Sequence, residues 1–276
     1  MLESRSLVNY GGVTVEDVAC RHPAGRGAQT EPSDGYGLVF VRRGCFVRHA
    51  GGGTEVLDPT VAFARSPGQE QRYDHPTVGG DDCTALTFDE PLAAELWGGE
   101  PDLAQTPLRI SPEVDLAHRR LLAEGRGGAD PDALYERALS LAAATLAQRH
   151  PQRADVSRPQ TRHTRRQLVS DAREALSVSP QRTLPGLARD LGVSPHHLSR
   201  VFHAHTGHTI AQHRMLLRSR TALERIAQGE DSLARLAAEV GFADQSHLTR
   251  TIRRHTGRSP AELRALLRQS PSETEA

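Results

Sequence analysis

The chain has 276 residues, of which 37% are hydrophobic and 25% are charged. This length suggests two domains, and the composition is typical of a soluble globular protein. Because no apolar run reaches the roughly 18 residues that a membrane span needs, we expect no membrane partner. The first residues lack the basic-then-apolar order of a signal peptide, so the predicted location is cytoplasmic.

The net charge of zero conceals a difference between the two parts of the chain. Residues 161–276 contain 18 arginines and 11 acidic residues, whereas residues 1–160 contain 16 arginines and 23 acidic residues. Arginine carries every basic charge, because the chain has no lysine. The basic excess in the second part favours a polyanion, such as nucleic acid, as its partner.

Short segments rich in β-branched and aromatic residues occur throughout residues 13–88, bounded by Gly, Pro or Asp clusters. Many short strands at this spacing predict a β-sandwich or small barrel. The predicted strands cover residues 13–20, 36–43, 45–49, 55–57, 60–64 and 83–88.

The three cysteines, Cys20, Cys45 and Cys83, are widely spaced and form no CxxC pair. This pattern favours buried free thiols over a zinc or redox site. The sequence therefore predicts no metal and no cofactor.

Two helices are predicted after the strands. Ser111-Pro112 and Asp130-Pro131 each combine an N-cap residue with a proline at the first helical position. The helices extend to about residues 124 and 148, and their short connection makes them antiparallel neighbours. The apolar stripe of the second helix is suited either to cover the sheet or to meet a second subunit.

A polar segment with two prolines, residues 151–164, predicts a linker. From residue 165 the pattern is almost entirely helical, and the polar residues 269–276 predict a disordered tail.

An internal repeat of about 50 residues occupies the helical part. Leu187-Ala188 matches Leu236-Ala237 at an offset of 49, and Arg200 matches Arg250 at an offset of 50. Each copy has the pattern of a helix-turn-helix unit: a short helix, a glycine just after it, and an N-cap residue before the second helix. The glycines are Gly192 and Gly241, and the caps are Ser194 and Asp244.

The second helix of each unit has a polar face that suits base edges and phosphates. We predict DNA contacts by His196, Ser199, Arg200 and His203 in the first unit and by Gln245, Ser246, Thr249, Arg250 and Arg253 in the second. A helix over residues 209–227, about 28 Å long, joins the units. Because this length is close to the 34 Å repeat of DNA, one chain could read two successive major-groove segments.

These residues resemble the AraC/XylS family of bacterial transcription regulators. The resemblance covers residues 165–268 and is most specific at residues 241–250, GFADQSHLTR, and residues 257–260, GRSP. It implies a seven-helix DNA-binding domain with a recognition helix in each half. The sequence departs from the family pattern at His213, Ile252 and Leu263, where aromatic residues are usual. Arg218 fits the pattern too, and either a structural ion pair or a phosphate contact explains it.

Residues 1–150 are similar to the cupin-like sensory domains that often precede this DNA-binding domain. That resemblance implies a small-molecule effector in the β domain and a possible homodimer through residues 111–150. The candidate effector contacts are Tyr36, Arg43, Tyr73 and His75. Metal-dependent cupins carry a tight cluster of ligands, whereas His22, His49 and His75 are scattered, so no metal centre is expected.

The leading hypothesis is a non-enzymatic, effector-responsive regulator that binds double-stranded promoter DNA, with activation through RNA polymerase favoured over repression. The alternative is an enzyme, either a metal-dependent cupin or a cysteine alkyl acceptor fused to a DNA-binding domain. Because the units differ at His196 and Ser246 and at His203 and Arg253, we also predict that they read different sequences.

Overall fold

The computed structural model describes residues 2–21, 23–25, 31–51, 53–76, 79–98, 108–148 and 159–267. The first half is a β domain followed by helices, and the second half is all helical. The predicted β domain with two following helices and the predicted helical domain with tandem helix-turn-helix units are therefore confirmed. Among the described residues, no helix has the length and apolar character required to cross a membrane.

The β domain consists of two antiparallel sheets, one with strand order β1-β2-β9-β4-β7-β10 and one with order β3-β8-β5-β6. Its strands are β1 (Leu2–Tyr10), β2 (Val13–Cys20), β3 (Glu31–Pro32), β4 (Tyr36–Arg43), β5 (Phe46–Ala50), β6 (Gly53–Leu57), β7 (Val61–Arg65), β8 (Glu70–Asp74), β9 (Asp81–Phe88) and β10 (Leu108–Arg109).

The central strands β4 and β9 of the larger sheet are buried on both faces, and successive side chains of each strand point to opposite sides. In β4, Leu38 and Phe40 join a core with the helices, whereas Val39 and Val41 join a core with the smaller sheet. Six strands predicted from the sequence correspond to β2, β4, β5, β6, β7 and β9. The cysteines are confirmed as buried free thiols.

The helices are α1 (Glu90–Trp97), α2 (Pro112–Arg126), α3 (Pro131–Ala147), α4 (Pro159–Val178), α5 (Leu184–Asp190), α6 (Pro195–Thr206), α7 (Ile210–Ala227), α8 (Leu233–Val240), α9 (Gln245–Thr256) and α10 (Pro260–Leu267). The N-caps predicted for α2 and α3 are confirmed, since Ser111 and Asp130 accept hydrogen bonds from the third residue of each helix. The apolar stripe of α3, including Leu134, Leu141 and Leu146, covers the larger sheet.

The predicted linker was too long at its C-terminal end. Helix α4 begins at Pro159, so residues 159–164 are helical. Proline is tolerated in the first turn of a helix, where its missing N–H has no intrahelical partner. Residues 151–158 of the predicted linker and residues 269–276 of the predicted tail lie outside the described residues.

The helical half has two small cores joined by α7. The first core contains Leu187, Leu198 and Phe202 with residues of α4 and the N-terminal part of α7. The second contains Leu236, Leu248 and residues of α10 with the C-terminal part of α7. Since α7 contributes to both cores, a displacement of this helix would change how the two halves are arranged.

Candidate nucleic-acid interface

The first helix-turn-helix unit is formed by α5 and α6. Gly192 has a φ of 66° in the turn, a conformation that L residues rarely adopt. Ser194 then caps α6, its hydroxyl accepting a hydrogen bond from the His197 N–H at 3.2 Å. Leu198 and Phe202 are fully buried and anchor α6 against α4 and α5.

The second unit is formed by α8 and α9 and repeats these features. Gly241 has a φ of 88°, and the Asp244 carboxylate accepts a hydrogen bond from the His247 N–H at 2.6 Å. Leu248 and Ile252 are fully buried, so Ile252 fills the core position where an aromatic residue is usual. The turns, caps and core positions predicted from the internal repeat are therefore confirmed.

Two arginines fifty residues apart hold equivalent turns. Arg214 Nε donates to the Pro180 carbonyl at 2.8 Å, and Arg264 Nε donates to the Glu230 carbonyl at 3.0 Å. Each arginine thus ties the segment before the first helix of a unit to the helix that follows the unit. The sequence analysis did not identify this pair, although Arg214 and Arg264 are related by the same 50-residue offset as the two units.

Arg218 also has a structural role. Its Nη2 donates to the Gln181 side-chain oxygen at 2.8 Å, in the turn before α5. The structure shows neutral partners for Arg218, the Pro180 carbonyl and the Gln181 amide oxygen, in place of the predicted ion pair. A phosphate contact of Arg218 stays a prediction.

The predicted DNA-reading residues line the outer faces of α6 and α9. Ser199 and Thr249 are half-buried at equivalent positions near the middle of each helix. The remaining members of the set are exposed: His196, Arg200, His203, Gln245, Ser246, Arg250 and Arg253. Within the described residues, no hydrogen bond or ion pair engages the guanidinium of Arg200 or Arg250.

The helical half packs against the β domain through a buried ionic network. Glu224 of α7 is 4% exposed, and its two carboxylate oxygens accept from Arg42 of β4 at 3.2 Å and from Arg119 of α2 at 2.6 Å. Arg42 also pairs with Asp17 of β2, and Arg119 also pairs with Asp115 at 3.1 Å. Both arginines therefore connect a carboxylate of the N-terminal half to α7.

A second group of contacts joins the same surfaces around Asp58. Its carboxylate lies 2.9 Å from Arg173 of α4 and 3.5 Å from His213 Nε2 of α7. Burial alone would raise the pKa of Asp58, but Arg173, His213 and Thr60 outweigh burial and hold this pKa well below its ordinary value. The fully buried Arg220 of α7 donates to the carbonyls of Pro59 and Ile110.

His213 explains one departure from the family pattern. It is 1% exposed and packs edge-to-face on Phe202, with ring centroids 5.3 Å apart. It therefore takes the place of an aromatic side chain in the first core, and its Nε2 also faces Asp58 of the β domain. A phenyl ring at this position would leave one side of the buried carboxylate without a polar neighbour.

The four predicted effector contacts do not share one pocket. Tyr36 packs on Trp97 beside α1, with ring centroids 6.2 Å apart, and Arg43 is held by Asp82 at 2.5 Å. Tyr73 and His75 both pack on Phe46, at centroid distances of 5.5 and 6.3 Å. The role of these four residues in effector binding stays a prediction.

Among the described residues, one group of side chains has the chemistry of metal ligands: Cys20, His75 and Asp81, all buried, with potential ligand atoms within 4.8 Å of one another. The sequence reading treated Cys20 and His75 separately, because they are 55 residues apart in the chain. His49 belongs to a different pair, with Nε2 2.7 Å from Asp74.

Comparison with known proteins gives one family match, in the helical half. Residues 187–266 match a family model described as a helix-turn-helix domain. No curated protein matches the chain.

Three solved structures are similar to larger or smaller parts of the chain. A transcriptional regulator with an AraC-type DNA-binding domain from Chromobacterium violaceum shares 22% identity, covering 40% of this chain and 96% of its own, with a TM-score of 0.35. An apo ToxT variant from Vibrio cholerae shares 12% identity, covering 94% of this chain and 99% of its own, with a TM-score of 0.37. A cupin superfamily protein from Desulfitobacterium hafniense shares 15% identity, covering 32% of this chain and 77% of its own, with a TM-score of 0.27.

Proposed function

We propose that this chain, whose residues 187–266 match a helix-turn-helix domain model, is a transcription regulator of the AraC type that reads two successive major-groove segments of promoter DNA. The observation that carries the proposal is the pair of exposed recognition faces on α6 and α9, each with an arginine that no described residue engages. Helix α7, 18 residues long, spans about 27 Å between the units, close to one turn of DNA.

The residue types on the two faces suit direct reading of bases. Arginine can donate two hydrogen bonds to guanine, and Gln245 can pair in the same way with adenine. His196 and His203 in the first unit correspond to Ser246 and Arg253 in the second, so the patterns of donors and acceptors differ. An asymmetric binding site follows from this difference.

The buried network around Glu224 and Asp58 supports control by the N-terminal half. Both acidic groups connect the β domain or α2 to the helix that joins the two DNA-reading units. An effector that displaced β4 or the segment around Asp58 would move α7 and change the arrangement of the units. We include effector response, activation through RNA polymerase and a dimer through residues 111–150 as further parts of the proposal.

The test is DNA binding by the full chain at fixed salt, because affinity for DNA falls steeply as salt rises. The probe is a duplex selected from a random DNA pool. Arg200→Ala and Arg250→Ala should each weaken binding by about 1–3 kcal/mol. Arg5→Ala is the matched control, since this exposed arginine of β1 lies outside the segment proposed for the dimer and far along the chain from both recognition helices.

The control variant should bind as tightly as the wild type. If the double variant Arg200→Ala with Arg250→Ala also bound with unchanged affinity, α6 and α9 would not be the DNA-reading helices. If both arginine variants and the control weakened binding equally, the effect would be general electrostatics instead of base reading.

A further inference from the structure

A buried line of three polar side chains lies where the end of β2 meets the start of β9. Cys20 Sγ lies 3.6 Å from His75 Nε2, and His75 Nδ1 lies 2.9 Å from Asp81 Oδ2. Cys20, His75 and Asp81 are 5%, 9% and 4% exposed, respectively. The register of the two strands places Cys20 directly opposite Asp81, so the sheet itself holds the thiol and the carboxylate on either side of the imidazole.

The order of the three groups determines where the protons lie. An ionised carboxylate only accepts hydrogen bonds, so the contact with Asp81 places a proton on His75 Nδ1. In the neutral imidazole the lone pair of Nε2 then faces Cys20, and the thiol is the donor. Asp81 Oδ1 also accepts from the Cys83 thiol at 3.4 Å, which further fixes the carboxylate.

This geometry favours proton transfer over metal binding. A metal ion needs its ligand atoms to converge on one point. Here the two ring nitrogens of His75 face different partners, Cys20 on one side and Asp81 on the other. An imidazole between a thiol and a carboxylate can take the thiol proton, and the carboxylate then stabilises the imidazolium.

We propose that Cys20 is a modification site, a thiol activated by His75 and Asp81 that small hydroperoxides oxidise to a sulfenic acid. The thiol proton moves to His75 Nε2, and the thiolate sulfur attacks the terminal peroxide oxygen. An S–O bond forms and the O–O bond breaks, so the sulfur is oxidised by two electrons and the peroxide is reduced. His75 returns the proton to the departing oxygen, which leaves as an alcohol, or as water when the oxidant is hydrogen peroxide.

The size of the oxidant follows from the burial of the thiol. Because Cys20 is 5% exposed, we expect a molecule of the size of hydrogen peroxide to reach its sulfur more readily than a bulky reagent. The proposal goes beyond DNA binding and concerns the chemistry of the β domain, so it stands or fails independently of the DNA-binding proposal.

The other two cysteines are internal controls in the same chain. Burial raises the pKa of Cys45 to about 12, and burial together with Asp81 raises the pKa of Cys83 well above its ordinary value. Both thiols therefore remain protonated at neutral pH, and a protonated thiol is a poor nucleophile.

The experiment exposes the full native chain to hydrogen peroxide for timed intervals at neutral pH and removes the excess with catalase. The protein is then unfolded in iodoacetamide, and peptide mass spectrometry gives the fraction of each cysteine that peroxide has blocked. Cys20 should be blocked about a hundredfold faster than Cys45 and Cys83, the lower end of the range for a positioned general base. Equal rates for the three cysteines, or a slower rate for Cys20, would overturn the proposal.

Two variants test the roles of the neighbours. His75→Gln removes the base, and Asp81→Asn keeps the shape while removing the carboxylate, so each should slow oxidation of Cys20 at least about tenfold. His49→Gln is the matched control, because it disrupts the other His–Asp pair of the β domain, His49 with Asp74. An unchanged rate of Cys20 oxidation in folded Asp81→Asn and His75→Gln would also overturn the proposal. If these variants do not fold, the comparison of the three cysteines within the wild-type chain still tests it.

Discussion

Glu224 is the residue at which the two halves of the chain depend on each other most directly. Its carboxylate accepts from Arg42 and Arg119, which lie 182 and 105 residues away in sequence. We consider Glu224→Gln, which keeps the side-chain shape but removes the negative charge from between two buried guanidinium groups.

The expected loss of stability follows from what remains around the two arginines. Removing one partner of a buried ion pair costs about 3–5 kcal/mol, because it leaves an uncompensated charge in the interior. Arg42 keeps Asp17, and Arg119 keeps Asp115. The loss should therefore lie near the lower end, at about 3 kcal/mol in the free energy of unfolding.

The assay is urea denaturation followed by circular dichroism, with Glu239→Gln as the matched control. Glu239 pairs with Arg225 at 2.8 Å, but its side chain is 48% exposed. Exposed pairs contribute at most about 1 kcal/mol, so the control should remain close to the wild type. If the two variants lost the same stability, the buried network would not join the halves in the way described.

Two further predictions concern buried or strained positions. The pKa of Asp58 is held below its ordinary value of 3.8, so its ion pairs stabilise the folded chain above that pH, and this contribution is lost as the pH falls below it. Asp58→Asn should therefore remove this part of the acid sensitivity in urea titrations carried from neutral pH to below pH 3.8. Identical acid sensitivity in the variant would contradict the assignment. Gly192→Ala should cost about 1–2 kcal/mol from the left-handed backbone alone, because a Cβ at residue 192 would lie in open space. Gly241→Ala should cost more, because a Cβ there would displace the end of the Gln181 side chain, which accepts a hydrogen bond from Arg218 at 2.8 Å. Equal losses in thermal melts would show that Gln181 moves aside without cost.

Features that depend on neighbouring residues could be predicted from the sequence. The caps Ser111, Ser194 and Asp244 and the glycines Gly192 and Gly241 are local signals, and all five have the predicted roles. The internal repeat also predicted which face of each recognition helix is buried and which is exposed, because the same apolar and polar positions occur in both copies.

Features that depend on distant pairing could not be predicted in this way. Strand β1 is mostly exposed and has no regular apolar alternation, and its structure comes from pairing with β2. The contact of Glu224 with Arg42, and the line from Cys20 through His75 to Asp81, join residues far apart in sequence. Each of these side chains alone reads as an ordinary charged or buried residue.

The most direct test of the central claim is selection of bound duplexes from a random DNA pool by the full chain. The account predicts a binding site with two unlike elements, centred about 10 base pairs apart, as expected for recognition helices in successive major-groove segments. Selection with Arg250→Ala should retain one element and lose sequence preference in the other. Enrichment of a single element, or two identical elements, would contradict reading by two different units of one chain.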